Sequence, residues 1–246
     1  MASNGEQIPD PATDRYGYSR TALARLVLAY ELQELADRAI GGVPTVNDSW
    51  SQPGETVSDA LDLVHQAQEV LTRAVVYERV KHTSWEAIGE ALGDITRQSA
   101  QERYREAVQE WKDSQQEPYY EPSHPGGVRG VRLHPAAMEP TATGRSLDAW
   151  VHQHVKGRPE IEADEHPVTG HLPALSTAEE MVQVLDALNH LYGDMHVPTD
   201  PGRRAQLLER KAALLDRIAV EDGRPEAAEQ AAEARARAAE LRADTA

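Results

Sequence analysis

Apolar residues recur along this chain mainly at helical spacing, in blocks separated by runs of Pro, Gly and polar residues. Leu23, Leu26, Val27, Tyr30 and Leu35 predict a helix from about Ser19 to Ile40, which Gly41 and Gly42 stop. Residues 43–55, rich in Pro, Asn, Ser and Gly, predict a loop. Leu61, Val64, Ala67, Leu71, Ala74 and Val75 then form a stripe that continues to about Val80. Thr56 is its expected cap, and the expected partner of the stripe is the first helix, in an antiparallel pair. Residues 1–18, with Pro9 and Pro11, read as a disordered N-terminus.

The pattern changes between Thr83 and Tyr104. Thr83 and Glu86 have the spacing of a capping box, and Ile88 and Leu92 share one face of a short helix. Gly89 is the small residue at which another backbone can come close. Gly93 suits the left-handed residue that ends a helix, and Thr96 is placed to cap the next one. Ile95, just before that cap, is placed to pack on Ala100. The second helix carries Arg97, Gln98, Gln101, Glu102 and Arg105 away from its apolar side, which continues through Tyr104, Val108 and Trp111. One helix braces and the other presents polar side chains, as a helix-turn-helix requires. Trp85 and Trp111 read as core anchors.

These residues, SWEAIGEALG followed by TRQSAQERY, resemble the helix-turn-helix of many small regulators from high-GC Gram-positive bacteria. The stretch is also similar to the last domain of sigma-70-type factors. With the preceding RAVVYERV the likeness extends over roughly Val57 to Trp111, and the remainder resembles only uncharacterised proteins of the same bacteria. The usual turn has one hydrophobic residue between its glycine and the following cap. Here there are two residues, Asp94 and Ile95. The resemblance implies a DNA-binding regulator of transcription or of a plasmid or mobile element.

Beyond the motif, Pro118, Pro122, Pro125, Gly126, Gly127, Gly130, Pro135 and Pro140 predict a linker over 113–145. Residues 146–175 are weakly patterned, with a short helix expected from Ser146 through Trp150 to Val155 and a polar loop after it. Ser176 opens a capping box, and Met181, Leu185, Leu188 and Leu191 predict one apolar face before Gly193. Asp200 and Pro201 predict the start of another helix, marked by Leu207, Leu208, Leu214, Leu215 and Ile218. These two are expected to form an antiparallel hairpin. Pro225 begins an Ala/Glu/Arg helix towards Leu241, whose stripe fits either a solvated extension or a thin coiled-coil seam. The expected fold class is all-α: a helical domain over 19–112 containing the helix-turn-helix (83–105), the 113–175 segment, and a C-terminal helical unit over 176–246.

Composition agrees with helices. Aromatic residues make up 5% of the 246, none is Phe, and Leu, Val, Ala and Ile must build the cores. No apolar run reaches eighteen residues, and the first fourteen residues lack the charged-then-apolar order of a secretory signal. Cytoplasmic residence, with no membrane partner, is therefore the expectation.

Charge bears on the DNA reading. The net charge is -16, whereas phosphate contact needs basic residues. Residues 113–246 carry 14 basic and 23 acidic side chains, more than half of the deficit. Thr96 to Lys112 carries four basic and three acidic ones. The expected footprint is thus a small basic face on an acidic body: Arg97, Gln98 and Gln101 at base edges, Arg73, Lys81, Ser84 and Arg105 at phosphates. Such a small footprint favours a homodimer, built through the C-terminal helices or the first helix.

Catalysis and metal binding find no signature. There is no Walker loop, GxGxxG, GxSxG or HExxH, and the chain has no Cys. His152, His154, His166 and His171, near Glu162, Asp164 and Glu165, read as solvated loop residues rather than ligands. No cofactor and no enzyme activity are expected. The alternative to a DNA-binding regulator is an acidic helical adaptor that binds protein partners and whose helix-turn-helix no longer binds DNA.

Overall fold

A computed structural model describes residues 14–45, 52–115, 133–193 and 201–243, with the side chains of 189–193 and 203 outside the description. Among the described residues all regular structure is helical: ten α-helices and two short 3-10 turns. We number the helices α1 (Arg20–Gly41), α2 (Glu55–Val80), α3 (Trp85–Ala91), α4 (Arg97–Ser114), α5 (Pro135–Met138), α6 (Pro140–His154), α7 (Pro159–Glu162), α8 (Thr177–Gly193), α9 (Pro201–Glu221) and α10 (Pro225–Ala243). The chain forms two compact units, one from Met1–Trp111 with Leu133–Ala174, the other from Lys112–Arg132 with Leu175–Ala246.

In the first unit Ser19 caps α1: its Oγ accepts from the Ala22 N–H at 3.0 Å and donates to the Pro173 carbonyl at 2.9 Å. The N-terminal half of α1 is buried at Ala22, Leu23, Ala24, Leu26 and Val27, and α5 and α6 pack on α1. Leu133, Ala136, Ala137 and Leu147 are buried in that part of the chain. At Gly144 an added Cβ would meet the Thr169 methyl group, so the missing side chain is what lets that turn come down on α6. Asp148 secures the same turn, accepting from the N–H groups of Val168 (2.7 Å) and Thr169 (3.1 Å).

Three sequence expectations are corrected here. Of the expected linker, residues 116–132 lie outside the described residues, but from Leu133 onwards the chain packs into the first unit. Pro135 and Pro140 do not break helices; each stands at the first position of one, where the missing N–H is not needed. Of the expected disordered N-terminus, residues 1–13 lie outside the described residues, whereas Asp14 accepts from the Thr141 N–H at 2.9 Å and Tyr18 bonds Thr141 at 2.9 Å. Finally, Gly54, at φ 92°, precedes α2 in the capping position expected of Thr56.

The second unit stands on a seam of small residues. Ala212 of α9 and Ala227, Ala231 and Ala234 of α10 are buried together with Val184, Leu214, Leu215 and Ile218. Ala205 and Ala238 are buried as well. The four buried alanines of α10, Ala227, Ala231, Ala234 and Ala238, follow spacings of four, three and four residues. Of the two alternatives left open for α10, the structure shows the seam. α8 is turned relative to expectation: Met181 and Leu185 are exposed, while Glu180 and Val184 are buried. Glu180 draws that side inwards by pairing with Arg217 and Arg210 of α9. Ser176 accepts from the Glu179 N–H at 3.1 Å, as its capping box predicts. Asp200 lies outside the described residues.

Candidate nucleic-acid interface

The stretch expected to be a helix-turn-helix holds two helices, α3 and α4, which pack with the end of α2. Val75 of α2, Ile88 of α3, and Ala100 and Tyr104 of α4 are buried together, with Trp85, Leu92 and Ile95 packed against them. The motif-bearing side chains are therefore held by a small core of their own.

The start of α3 is displaced by one residue from the expected capping box. Ser84, not Thr83, accepts from the Ala87 N–H at 3.2 Å. The Thr83 hydroxyl instead donates to Glu78 at 2.5 Å. Glu86 pairs instead with Arg97 across the turn at 3.2 Å, and both side chains remain more than half exposed. Arg79 lies 4.8 Å over the Trp85 ring and donates to the Thr83 carbonyl, joining the end of α2 to the start of α3.

The long turn accommodates its extra residue by two successive left-handed backbones, Gly93 at φ 94° and Asp94 at φ 59°. The second is tolerable because Asp is among the residues that visit this region most readily. Ile95 then donates its N–H to the Gly89 carbonyl at 3.0 Å and reaches the core. An added Cβ on Gly89 would overlap the Ile95 carbonyl oxygen. The close approach expected at Gly89 is thus made by the turn rather than by the second helix. Thr96 caps α4, accepting from the Ser99 N–H at 3.2 Å.

Arg97, Gln98, Gln101 and Arg105 are all exposed. At 3.6 residues per turn they fall within an arc of about 100°, beside the buried row Ala100, Tyr104, Val108 and Trp111. Glu102 and Glu106, also exposed, occupy the next arc round. The basic row therefore has an acidic border.

The residues expected at phosphates are less uniform. Arg105 is exposed on α4, and Ser84 stands at the start of α3 with its Oγ engaged in the cap. Lys81 bonds Glu78 at 2.8 Å and sits 5.0 Å over the Tyr77 ring, and the Glu78 carboxylate raises the Lys81 pKa. Arg73 pairs with Glu69 at 3.8 Å, three helical turns before the motif. The structure thus places Arg97, Gln98, Gln101 and Arg105 on one surface, Ser84 and Lys81 around the start of α3, and Arg73 apart. The Glu86–Arg97 and Arg79–Trp85 contacts were not foreseen. Their sequence signal is an aromatic and an acid, Trp85 and Glu86, in the first turn of α3, between Arg79 at the end of α2 and Arg97 at the start of α4.

Among the described residues no group of His, Asp and Glu has the geometry of a metal site. His171 and Asp164 form a pair at 2.7 Å, and His166 lies 3.8 Å from Asp148, with both histidines well exposed. No helix among the described residues is long and apolar enough to cross a membrane. No protein-family model, no curated protein and no solved structure matches the chain.

Proposed function

We propose that this protein binds double-stranded DNA through α4, as a regulator of transcription or of a plasmid or mobile element. The observation that carries the reading is the exposed row Arg97, Gln98, Gln101 and Arg105 on a helix fixed by its own small core. Arg97 suits the guanine edge, and Gln98 and Gln101 the adenine edge, each good bidentate contact being worth about 1–3 kcal/mol. Arg105, Lys81 and Ser84 border that surface and suit phosphates; Arg73 contributes only from a greater distance. Arg97 must exchange Glu86 for a base. That exchange helps discrimination, because a wrong base leaves the internal ion pair as the better partner.

The test is a binding titration of the full chain on a selected DNA site. The pair of substitutions Arg97→Ala and Gln98→Ala is expected to weaken binding about a hundredfold or more, with helix content unchanged. Unchanged affinity would remove the assignment. With at most four basic candidates per subunit, a dimer should show a log–log salt slope of roughly -3 to -6.

A second reading, an acidic adaptor for protein partners, draws on the C-terminal unit. Met181, Val182 and Leu185 leave apolar surface exposed on α8. Absence of DNA binding even at low salt, with retention of a protein partner, would favour it.

A further inference from the structure

α2 has two apolar faces, and its own hairpin uses one. The half-buried row on α2 includes Leu63, Gln66, Val70 and Tyr77, and Gln66 reaches Glu31 of α1 at 2.6 Å. Turned away from that row are Val57, Leu61, Val64, Gln68, Leu71 and Val75, at spacings of four, three, four, three and four residues. That is the seam of a coiled coil. At its end Val75 is covered by the helix-turn-helix core. Along the preceding four turns it is open: Val57 is 73% exposed, Leu61 52%, Val64 51% and Leu71 43%.

We infer that this open seam on α2 binds the same seam of a second copy, antiparallel, about a twofold axis at Val64. Three observations choose that occupant. First, the flanking positions are uncharged: Ala60 and Ala67 on one side, Ser58, His65 and Thr72 on the other, in a chain of which 27% is charged. A strongly charged partner would find no complement there. Second, the helix-turn-helix core sits on the seam at Val75, so in a parallel pair both cores would fall on the same turn and collide. In an antiparallel pair centred on Val64, position 75 faces position 53 of the other copy, just before α2 begins at Glu55. The open length of the seam thus sets the register. Third, that register is complementary. Leu61 meets Ala67, Gln68 meets Ala60, Val57 meets Leu71, and the small residues let the helices approach.

The area suits a weak association. The four large side chains expose on the order of 350 Å², the size of the largest apolar patch on an ordinary monomer. Two copies, with the flanking alanines, make a contact of the small class below ~1,200 Å², that of weak, micromolar associations. One consequence rests on the DNA reading, although the dimer itself does not. Val75 lies eleven residues from the axis, so the two cores stand about 33 Å apart along the helices, close to the ~34–36 Å between half-sites one DNA turn apart.

The experiment uses the full chain without DNA. Sedimentation in the micromolar range is expected to give twice the 27.1 kDa chain mass. Leu61→Glu, at an exposed position of the isolated chain, is expected to weaken the dimer about a hundredfold with its circular dichroism unchanged. As there is no native Cys, single cysteines report the register. Under oxidised glutathione Val64→Cys is expected to give a covalent dimer. Val57→Cys and Leu71→Cys give one only when the two variants are mixed. A wild-type monomer at about 100 µM would overturn the proposal. So would a dimer indifferent to Leu61→Glu, or equal self-crosslinking at 57, 64 and 71. Dimerisation without DNA binding would leave this inference standing and remove the other.

Discussion

Two antiparallel helix pairs, α1 with α2 and α9 with α10, solve one packing problem in opposite ways. In α9/α10 the facing positions are small. Ala205 and Ala212 on one helix and Ala227, Ala231, Ala234 and Ala238 on the other are all buried. Small residues allow close backbone approach, so many weak dispersion contacts replace a few large side chains. Arg235–Asp216 and Arg242–Glu209 border that pair in the open, where each ion pair is worth at most about 1 kcal/mol. In α1/α2 the large residues are divided between two faces, and Leu61, Val64 and Leu71 remain outside. One pair has used its apolar surface internally; the other keeps part of it available. Helical periodicity marks an apolar face without saying which molecule covers it.

The largest effect expected from this contrast is on Leu214, which is 2% exposed, set against Leu61 at 52%. Leu214→Ala should cost about 2–5 kcal/mol in urea unfolding. At a dilution where the chain is monomeric, Leu61→Ala should cost under about 1 kcal/mol. Equal costs would mean that Leu61 is covered within its own chain.

Next comes enlargement of a small residue. Ala231 is 0% exposed, and Ala231→Leu should force α9 and α10 apart at about 1–3 kcal/mol. Ala67, exposed on α2, should accept Leu within about 0.5 kcal/mol in the monomer. Thermal unfolding of the two variants compares them directly. If Ala231→Leu were neutral, the α9/α10 seam would be looser than its burial indicates.

Much of this fold is legible from spacing alone. Ser19, Ser176 and Thr96 act as caps, and Gly93 and Gly223 adopt the left-handed backbone expected at helix ends. What was lost has physical causes. α10 read as undecided because alanine gives almost no contrast between faces, although it packs most closely. Residues 133–145 read as a linker because Pro signals both a break and a first helical position. The stripe Leu61, Val64 and Leu71 read as core because a pattern of large residues looks the same whether the covering surface lies within the chain or outside it. That Arg97, Gln98, Gln101 and Arg105 share an exposed face of α4 was legible from helical spacing. The Glu86–Arg97 pair was not, since it depends on how a longer turn brings two helix starts together.

The smallest effect, and the most local, is on pH dependence at the α1/α2 pair. Glu31 of α1 lies against His134 of the segment before α5, whose Nε2 is 3.0 Å from Oε1, and against Gln66 of α2. The Nδ1 of His134 accepts from the Ala136 N–H at 3.2 Å, so the neutral ring carries its proton on Nε2 and donates it to Glu31. That hydrogen bond, aided by the charge of Arg73, lowers the Glu31 pKa against the opposing effect of burial. The carboxylate is therefore favoured more in the folded chain than in the unfolded one. Its contribution to stability is complete above the ordinary Glu range near pH ~4.3 and is lost as pH falls through the lower folded value. Urea midpoints measured between about pH 6 and pH 3 should fall on acidification, and Glu31→Gln should make that fall shallower. Glu78, lowered in the same direction by Lys81 and Thr83, is retained in the variant, so part of the slope should persist. Parallel profiles for the two proteins would show that ionisation of Glu31, held by His134 and by Gln66 of α2, contributes nothing to stability. The asymmetry between the two helix pairs would then rest on apolar surface alone.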